Sequence, residues 1–446
     1  MSRLLLTFYG DDFTGSTDAL EQLTLAGIRT ALFIQPPTQA QLRQYPGLQA
    51  VGVAGMTRSM SPAAMKKELR PAFQKLKALR APHVHYKVCS TFDSSPSVGS
   101  IGRVMDMAAK IFPARFIPIL AAAPSLGRYT IFGTHFARYG IGSDGAIYRL
   151  DRHPSISRHP ITPMMEADLR RHLARQAKKK IALFDITNIA LPPAAARAAL
   201  AKILVDKPDA VLFDALSGDD LKQIGLLIDG FASERQPLFT VGSSGVEAAL
   251  AAQWKPGSQS RAVKFTRPVA TPLLVGSGSC SPVTAGQIAW ALKHGFKEVA
   301  LNTAKLCQAK TIADEIKRAA TAAARLLHNG RSVIVHTTRK GADHRVAANL
   351  PGKTAQVLGT ALGKVLRAAL EQCPVRRVCI AGGDTSSFAA RALGIEALEM
   401  IAPLTPGAPL CRAVAPGSPV AGGEIVFKGG QVGAENYFEI VRRGKI

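Results

Sequence analysis

At 446 residues and 47% hydrophobic content, the chain is long enough for two cores and too apolar to be disordered. No apolar run approaches the roughly 18 residues needed to cross a bilayer, and six scattered cysteines (Cys89, Cys280, Cys307, Cys373, Cys379, Cys411) have neither metal-ligand nor redox spacing. Fifty-six Lys and Arg against 31 Asp and Glu give a net charge of +25, yet the longest basic run is Lys178–Lys180 and aromatics are 6%, which argues against nucleic acid as the main partner and for attraction of small anions.

The chain opens on the apolar run Leu4–Tyr9, followed by Gly10-Asp11-Asp12-Phe13-Thr14-Gly15. A short apolar segment bounded by glycine predicts a buried parallel strand, and the run is interrupted by Asp11 and Asp12 without a cleavage site, unlike a signal peptide. Ala19, Leu20, Leu23 and Ala26 then recur at helical spacing, predicting a helix over Ser16–Ala26. Two carboxylates therefore sit on a strand-to-helix turn, the edge of an α/β sheet where ligands bind. Adjacent aspartates repel one another; an N-cap accounts for one of them, not both.

Further strands are predicted at Ala31–Ile34, Ala50–Ala54, Val84–Val88, Ile181–Phe184, Ala210–Phe213 and Leu238–Val241. The stretch Trp254–Pro272 has no apolar period and reads as a linker. Strands resume at Leu273–Val275, Val299–Leu301, Ser332–His336 and Val378–Ala381. The alternation predicts an α/β protein of two domains, each a largely parallel sheet flanked by helices. The expected division is 1–255, a linker at 256–271, and 272–446.

Polar residues gather at the predicted strand ends. Arg58 and Ser59 follow Ala50–Ala54, and Lys87, Ser90 and Thr91 follow the strand near Val84. Arg suits bidentate recognition of a carboxylate, and Lys supplies a point charge. With the aspartate turn they describe a pocket for a small hydroxylated acid. In the second half, Gly276–Thr284, Ala381–Ser387 and Lys428–Gly433 are rich in glycine and hydroxyls, and the first two precede predicted helices at Ala285–Leu292 and Phe388–Leu393. Small residues at a helix N-terminus let backbone N–H groups approach phosphate. Asp384 there can hold a ribose hydroxyl or a metal-bound water. Other patterns fail: Gly352-Lys353-Thr354 lacks the upstream glycine of a P-loop, Gly140–Gly145 lacks a flanking strand and helix, and His153-Pro154 and His159-Pro160 read as loop histidines.

The segments GDDFTGSTD, KVCSTFDSS, HPITPM (His159–Met164), GSGSCSPVT, AGGDTSS and KGGQVG together resemble the four-carbon acid sugar kinase family, in the family's order and across nearly the whole chain. The resemblance implies a sugar-acid-binding N-terminal domain, an ATP-binding C-terminal domain and an active site in the cleft between them. It also implies transfer from ATP, with Mg²⁺, to the C4 hydroxyl of threonate, erythronate or a 3-oxo-tetronate. Carried over by motif, Ser277, Ser279, Gly382, Gly383, Asp384, Thr385, Gly429 and Gly430 would bind the nucleotide, while Arg58, Lys87, Ser90 and Thr91 would face the sugar acid. The substrate carboxylate would pair with Arg58 or Lys87. Asp12 or Asp11 would accept the hydroxyl proton. A cytoplasmic enzyme follows from the free thiols and the absence of an apolar span; no membrane partner is expected, and a homodimer is allowed. The competing readings are a kinase for another small sugar acid and a non-catalytic nucleotide or sugar-acid sensor.

Overall fold

The computed structural model describes residues 3–139, 145–158, 162–254, 267–338 and 354–444. The chain divides into two compact units, Met1–Ala262 and Val263–Ile446.

The first unit contains β1 (Leu6–Gly10), β2 (Thr30–Phe33), β3 (Ala50–Ala54), β4 (His83–Lys87), β5 (Ile117–Leu120), β6 (Arg128–Ile131), β7 (Thr134–Arg138), β8 (Ile147–Arg149), β9 (Ile181–Phe184), β10 (Ala210–Phe213) and β11 (Leu238–Gly242). All but β6–β8 form a parallel sheet in the order β2-β3-β1-β4-β11-β5-β10-β9, and β6–β8 form an antiparallel meander. Parallel neighbours need helical crossovers, and these cover both faces. Alternate side chains divide between two cores. Ala210 and Leu212 pack with Phe73, Val104 and Phe112; Val211 and Phe213 pack with Leu200, Ile224 and Leu250.

The second unit contains β12 (Leu274–Ser277), β13 (Lys297–Ala300), β14 (Val333–His336), β15 (Arg377–Ala381), β16 (Ala397–Thr405), β17 (Ala408–Val414) and β18 (Glu424–Lys428), in the order β13-β14-β12-β15-β18-β17-β16. The pairs from β13 through β18 are parallel, and β17 runs antiparallel to β18 and β16.

The α/β reading holds, with differences at particular elements. The helix expected at Ser16 starts at Phe13, because Asp12 caps it by accepting the Gly15 N–H at 2.7 Å. The helix expected at Ala285 starts at Pro282 behind the Ser281 cap, where a proline costs no hydrogen bond. The helix expected at Phe388 begins at Gly383. Trp254 ends a helix, Gly245–Trp254, rather than opening a linker. Residues 255–266, 140–144, 159–161 and 352–353, which carry parts of the linker, the rejected glycine motifs and HPITPM, lie outside the described residues. Among the described residues, no helix is long and apolar enough to cross a membrane.

Candidate active site

In the first unit, β3, β1, β4 and β11 are adjacent and parallel, so their carboxyl ends open side by side. Backbone bonds tie the turns that leave them: Arg58 N–H to Asp11 O at 3.0 Å, Asp11 N–H to Lys87 O at 2.8 Å, and Val88 N–H to Gly242 O at 2.7 Å. Gly15 is required here, since a Cβ on it would lie 3.2 Å from the Lys87 Nζ and closer still to the Asp12 carboxylate.

The two aspartates differ sharply. Asp12 is fully engaged: Oδ1 takes the Gly15 N–H, while Oδ2 takes the Thr14 hydroxyl and the Arg58 Nη1, both at 3.0 Å. Asp11 is 2% exposed, and its Oδ1 has no hydrogen-bond partner. Burial, reinforced by the Asp12 charge, raises the Asp11 pKa to about 8 against the opposing pull of Arg58 and Lys87. Arg58 stays protonated, because Asp12 and Asp93 outweigh the burial that acts against its charge. Its side chain keeps 21% of its surface exposed, with Asp93 at 3.9 Å.

Lys87 is placed differently from Arg58. It is 1% exposed, donates to Val88 O at 2.9 Å and lies 3.4 Å from Asp18. Burial opposes its charge, but Asp18 and Glu247 overcome this and hold its pKa above the usual lysine value. Glu247 in turn meets His85 Nδ1 at 2.7 Å. Thr91 donates to Asp93 Oδ2 at 2.8 Å, and the Ser90 carbonyl meets His135 Nε2 at 2.8 Å. Burial pushes the Cys89 thiol up to about 12 and His135 down to about 4, so neither a thiolate nor an imidazolium is present at neutral pH. Asp18, Asp93 and Glu247 were not singled out in the sequence. Asp93 had a signal, since it follows Thr91 on the same strand-end turn.

In the second unit, the three glycine-bearing turns leave β12, β15 and β18, which are neighbours. They meet at Ser279. A Cβ on Gly382 (φ +121°) would lie 3.0 Å from Thr385 Oγ1 and 3.3 Å from Ser279 N; one on Gly430 would lie 2.9 Å from Ser279 Oγ; one on Gly278 would collide with Thr385 Oγ1. Thr284 Oγ1 donates to Gly430 O at 3.0 Å, and Gln287 Nε2 reaches the carbonyls of Val432, Gly433 and Ala434 at 2.9–3.0 Å. Ser277 is fully buried, with an Oγ that has no partner. Asp384 and Gly429 are half-buried on the rim. The helices Pro282–Lys293 and Gly383–Ala392 both present their N-termini to this convergence. Glycine turns with no room for side chains, set at two helix N-termini, fit a polyphosphate.

The chain is a two-unit α/β protein with a polar floor at the strand ends of each unit. A family profile described as a sugar-binding N-terminal domain matches residues 6–250, and one described as a nucleotide-binding C-terminal domain matches residues 274–438. The chain belongs to the four-carbon acid sugar kinase family and is a phosphotransferase with an alcohol group as acceptor. It is 44% identical to the 3-oxo-isoapionate kinase of Paraburkholderia graminis, with 99% of this chain and 95% of that one covered. It is 30% identical to the 3-oxo-tetronate kinase of Salmonella typhimurium, with 96% of each chain covered. Among solved structures, a Salmonella typhimurium protein described as a tRNA synthase matches with a TM-score of 0.76 and 25% identity over 99% of both chains. A Haemophilus influenzae protein matches with a TM-score of 0.68 at 23% identity, over 98% of this chain and 99% of that one, a likeness of fold.

Proposed function

We propose that the enzyme uses ATP to phosphorylate the terminal hydroxyl of a small 3-oxo sugar acid, with 3-oxo-isoapionate ahead of the linear 3-oxo-tetronates. The observation that carries the reaction is a half-buried, permanently charged Arg58 beside a buried, incompletely bonded Asp11 on one sheet edge. The preference among acids rests on the higher identity to the 3-oxo-isoapionate kinase.

Phosphoryl transfer depends on positioning and charge neutralisation more than on covalent chemistry. The substrate carboxylate meets the exposed edge of Arg58, whose other edge is fixed by Asp12. Lys87 keeps its ammonium on Asp18 and Val88 O, and acts by adding positive potential beneath the turn. Ser90 and Thr91 face the substrate hydroxyls. Asp11 is the proton acceptor: a carboxylate with a raised pKa is the stronger base, and its buried Oδ1 is the oxygen left without a hydrogen-bond partner to receive the hydroxyl. Asp12, committed to three donors, organises Arg58 and the helix end.

The glycine turns around Ser279 and Ser277, with Gly382, Gly383, Thr385, Gly429 and Gly430, cradle the nucleotide phosphates. Among the described residues, no group of three His, Cys, Asp or Glu side chains gathers to hold a metal. Mg²⁺ would be carried on the nucleotide phosphates, with Asp384 holding a metal-bound water. When bound, the ion neutralises phosphate charge.

The test is ADP formation with Mg²⁺ against 3-oxo-isoapionate, the 3-oxo-tetronates, and the D and L forms of threonate and erythronate. Turnover with a 3-oxo acid supports the proposal, and its ranking settles the substrate. Turnover confined to threonate or erythronate would overturn the 3-oxo assignment. Binding of ATP without turnover on any member would favour a sensor or another acid.

A further inference from the structure

The floor of the second unit's site contains a titratable amine that the reading above does not use. Lys428 is fully buried at the end of β18, one residue before the Gly429-Gly430 turn. Its Nζ donates to Thr284 Oγ1 at 2.9 Å, and Thr284 passes a hydrogen bond on to Gly430 O. The Nζ also lies 5.5 Å from the centroid of the Tyr437 ring. Among the described residues, no carboxylate forms an ion pair with it, in contrast to Lys87, which has Asp18. A buried lysine without an acid is costly unless it is neutral or a ligand brings the opposite charge.

The surroundings on each packed element bear this out. β15 supplies the Cys379 thiol, which burial holds protonated up to about 12. The helix Pro282–Lys293 supplies the uncharged Thr284 and Gln287, and the helix Tyr437–Arg443 supplies the Tyr437 ring. The helix Gly383–Ala392 carries the cation Arg391 and one carboxylate, Asp384, which forms no ion pair with Lys428. On β17, Cys411 and Arg412 pair with Ile425 and Glu424, lower on the strand than Lys428. Two further polar atoms nearby, Ser277 Oγ and Gln287 Oε1, also lack partners.

We propose that Lys428 is a proton-linked positioning residue of the nucleotide site: as an anionic polyphosphate seats on the glycine turns, the amine takes a proton from solvent, and the resulting ammonium fixes the Gly430 turn through Thr284. This rests on the nucleotide-site reading given above. Burial lowers the Lys428 pKa to about 7, so in the free protein the amine is largely neutral at pH 8. The sign follows: phosphate charge raises the pKa in the complex, a proton is taken up on binding, and affinity falls as pH rises above 7.

The experiment is calorimetry of Mg²⁺-ADP binding at pH 8, where ADP carries no exchangeable phosphate proton, in buffers of different ionisation enthalpy. The wild type should take up more than half a proton per ADP and lose about tenfold in affinity between pH 7 and 8.5. Adenosine should bind with no uptake. Lys428→Met should bind ADP more weakly, and Lys428→Arg should remain charged throughout; neither should take up a proton. ADP binding by the wild type without proton uptake would overturn the inference and leave the nucleotide site standing. Failure of the wild type to bind any nucleotide would overturn the site itself. Should the variants fail to fold, the wild-type proton count and the adenosine comparison decide the matter alone.

Discussion

Neighbouring identical residues on one turn have opposite characters here, and the difference is environmental. Asp12 sits at a helix N-terminus with three donors, while Asp11 points into a buried space with one oxygen unserved. Asp11→Asn should therefore lower kcat by about 10²–10⁴-fold, the usual worth of a general base, with little change in ADP affinity. The same change should stabilise the protein. Between pH 4 and 8 the unfolded chain has released the Asp11 proton that the native state retains, so native stability falls as pH rises through that window. The unfolding midpoint of Asp11→Asn should match the wild type near pH 4 and exceed it increasingly up to pH 8; an unchanged gap would show that Asp11 titrates normally. In the wild type, kcat/KM for the sugar acid should rise with pH to a plateau above about 8. Asp12→Asn should act otherwise. Asn keeps the helix cap, because it caps as well as Asp, but an NH2 in place of Oδ2 faces the Arg58 Nη1, so the main effect should be a rise of tenfold or more in KM for the acid. A large fall in kcat at unchanged KM, from steady-state kinetics, would return Asp12 to the base role.

At the scale of elements, the buried Arg377 ties the second unit's last helix to the sheet. From the start of β15 it donates to Glu424 on β18 at 2.5 and 2.8 Å, to Val441 O at 2.6 Å and Arg442 O at 3.2 Å on the helix Tyr437–Arg443, and to Pro268 O at 3.2 Å. Arg377→Met leaves three carbonyls short of donors and Glu424 with Arg376 as its one cation, so it should cost about 3–5 kcal/mol at most. For a unit of this size that lowers the melting temperature by roughly 6–20 °C, measurable by scanning calorimetry. A shift under a degree would show that the helix is held by its apolar contacts alone. Which elements were legible in the sequence follows from the same packing. Ala50–Ala54, Ile181–Phe184 and Ala210–Phe213 were read at their observed bounds: the first and third have parallel neighbours on both sides and are apolar throughout, and the edge strand Ile181–Phe184 is equally apolar and ends at Asp185. β5 escaped notice because Pro118 interrupts it, and β16 because Pro403 does; a proline argues against a strand from sequence alone. β18 escaped because both its ends, Glu424 and Lys428, are charged yet buried. The site divides in the same way. Residues on strand-end turns were legible, since the turn places them wherever the strand goes. Asp18 and Glu247 were not: each lies within an apolar helix, and only the fold brings either to Lys87.

For the molecule as a whole, the excess of 56 basic over 31 acidic residues sets a field that both substrates feel. The sugar acid and ATP are anions, so the field raises their encounter rate more than it strengthens any one contact. The buried charges named above are paired or shielded from solvent and respond little to salt, whereas dispersed surface lysines and arginines are screened within about 10 Å at 0.1 M salt. Raising ionic strength from about 20 to 300 mM should therefore lower kcat/KM for the sugar acid several-fold while leaving kcat nearly unchanged, since the residues at the reacting centre keep their geometry. The measurement is steady-state kinetics across that range, with sodium chloride and a second salt of different anion to separate screening from competition for Arg58. Flat kcat/KM in both salts would mean that the net charge is spread too evenly to steer anything. A fall with one anion alone would place the effect at Arg58. Affinity for duplex or single-stranded nucleic acid falling along a steep log–log salt slope, with kinetics untouched, would assign the charge to that partner instead.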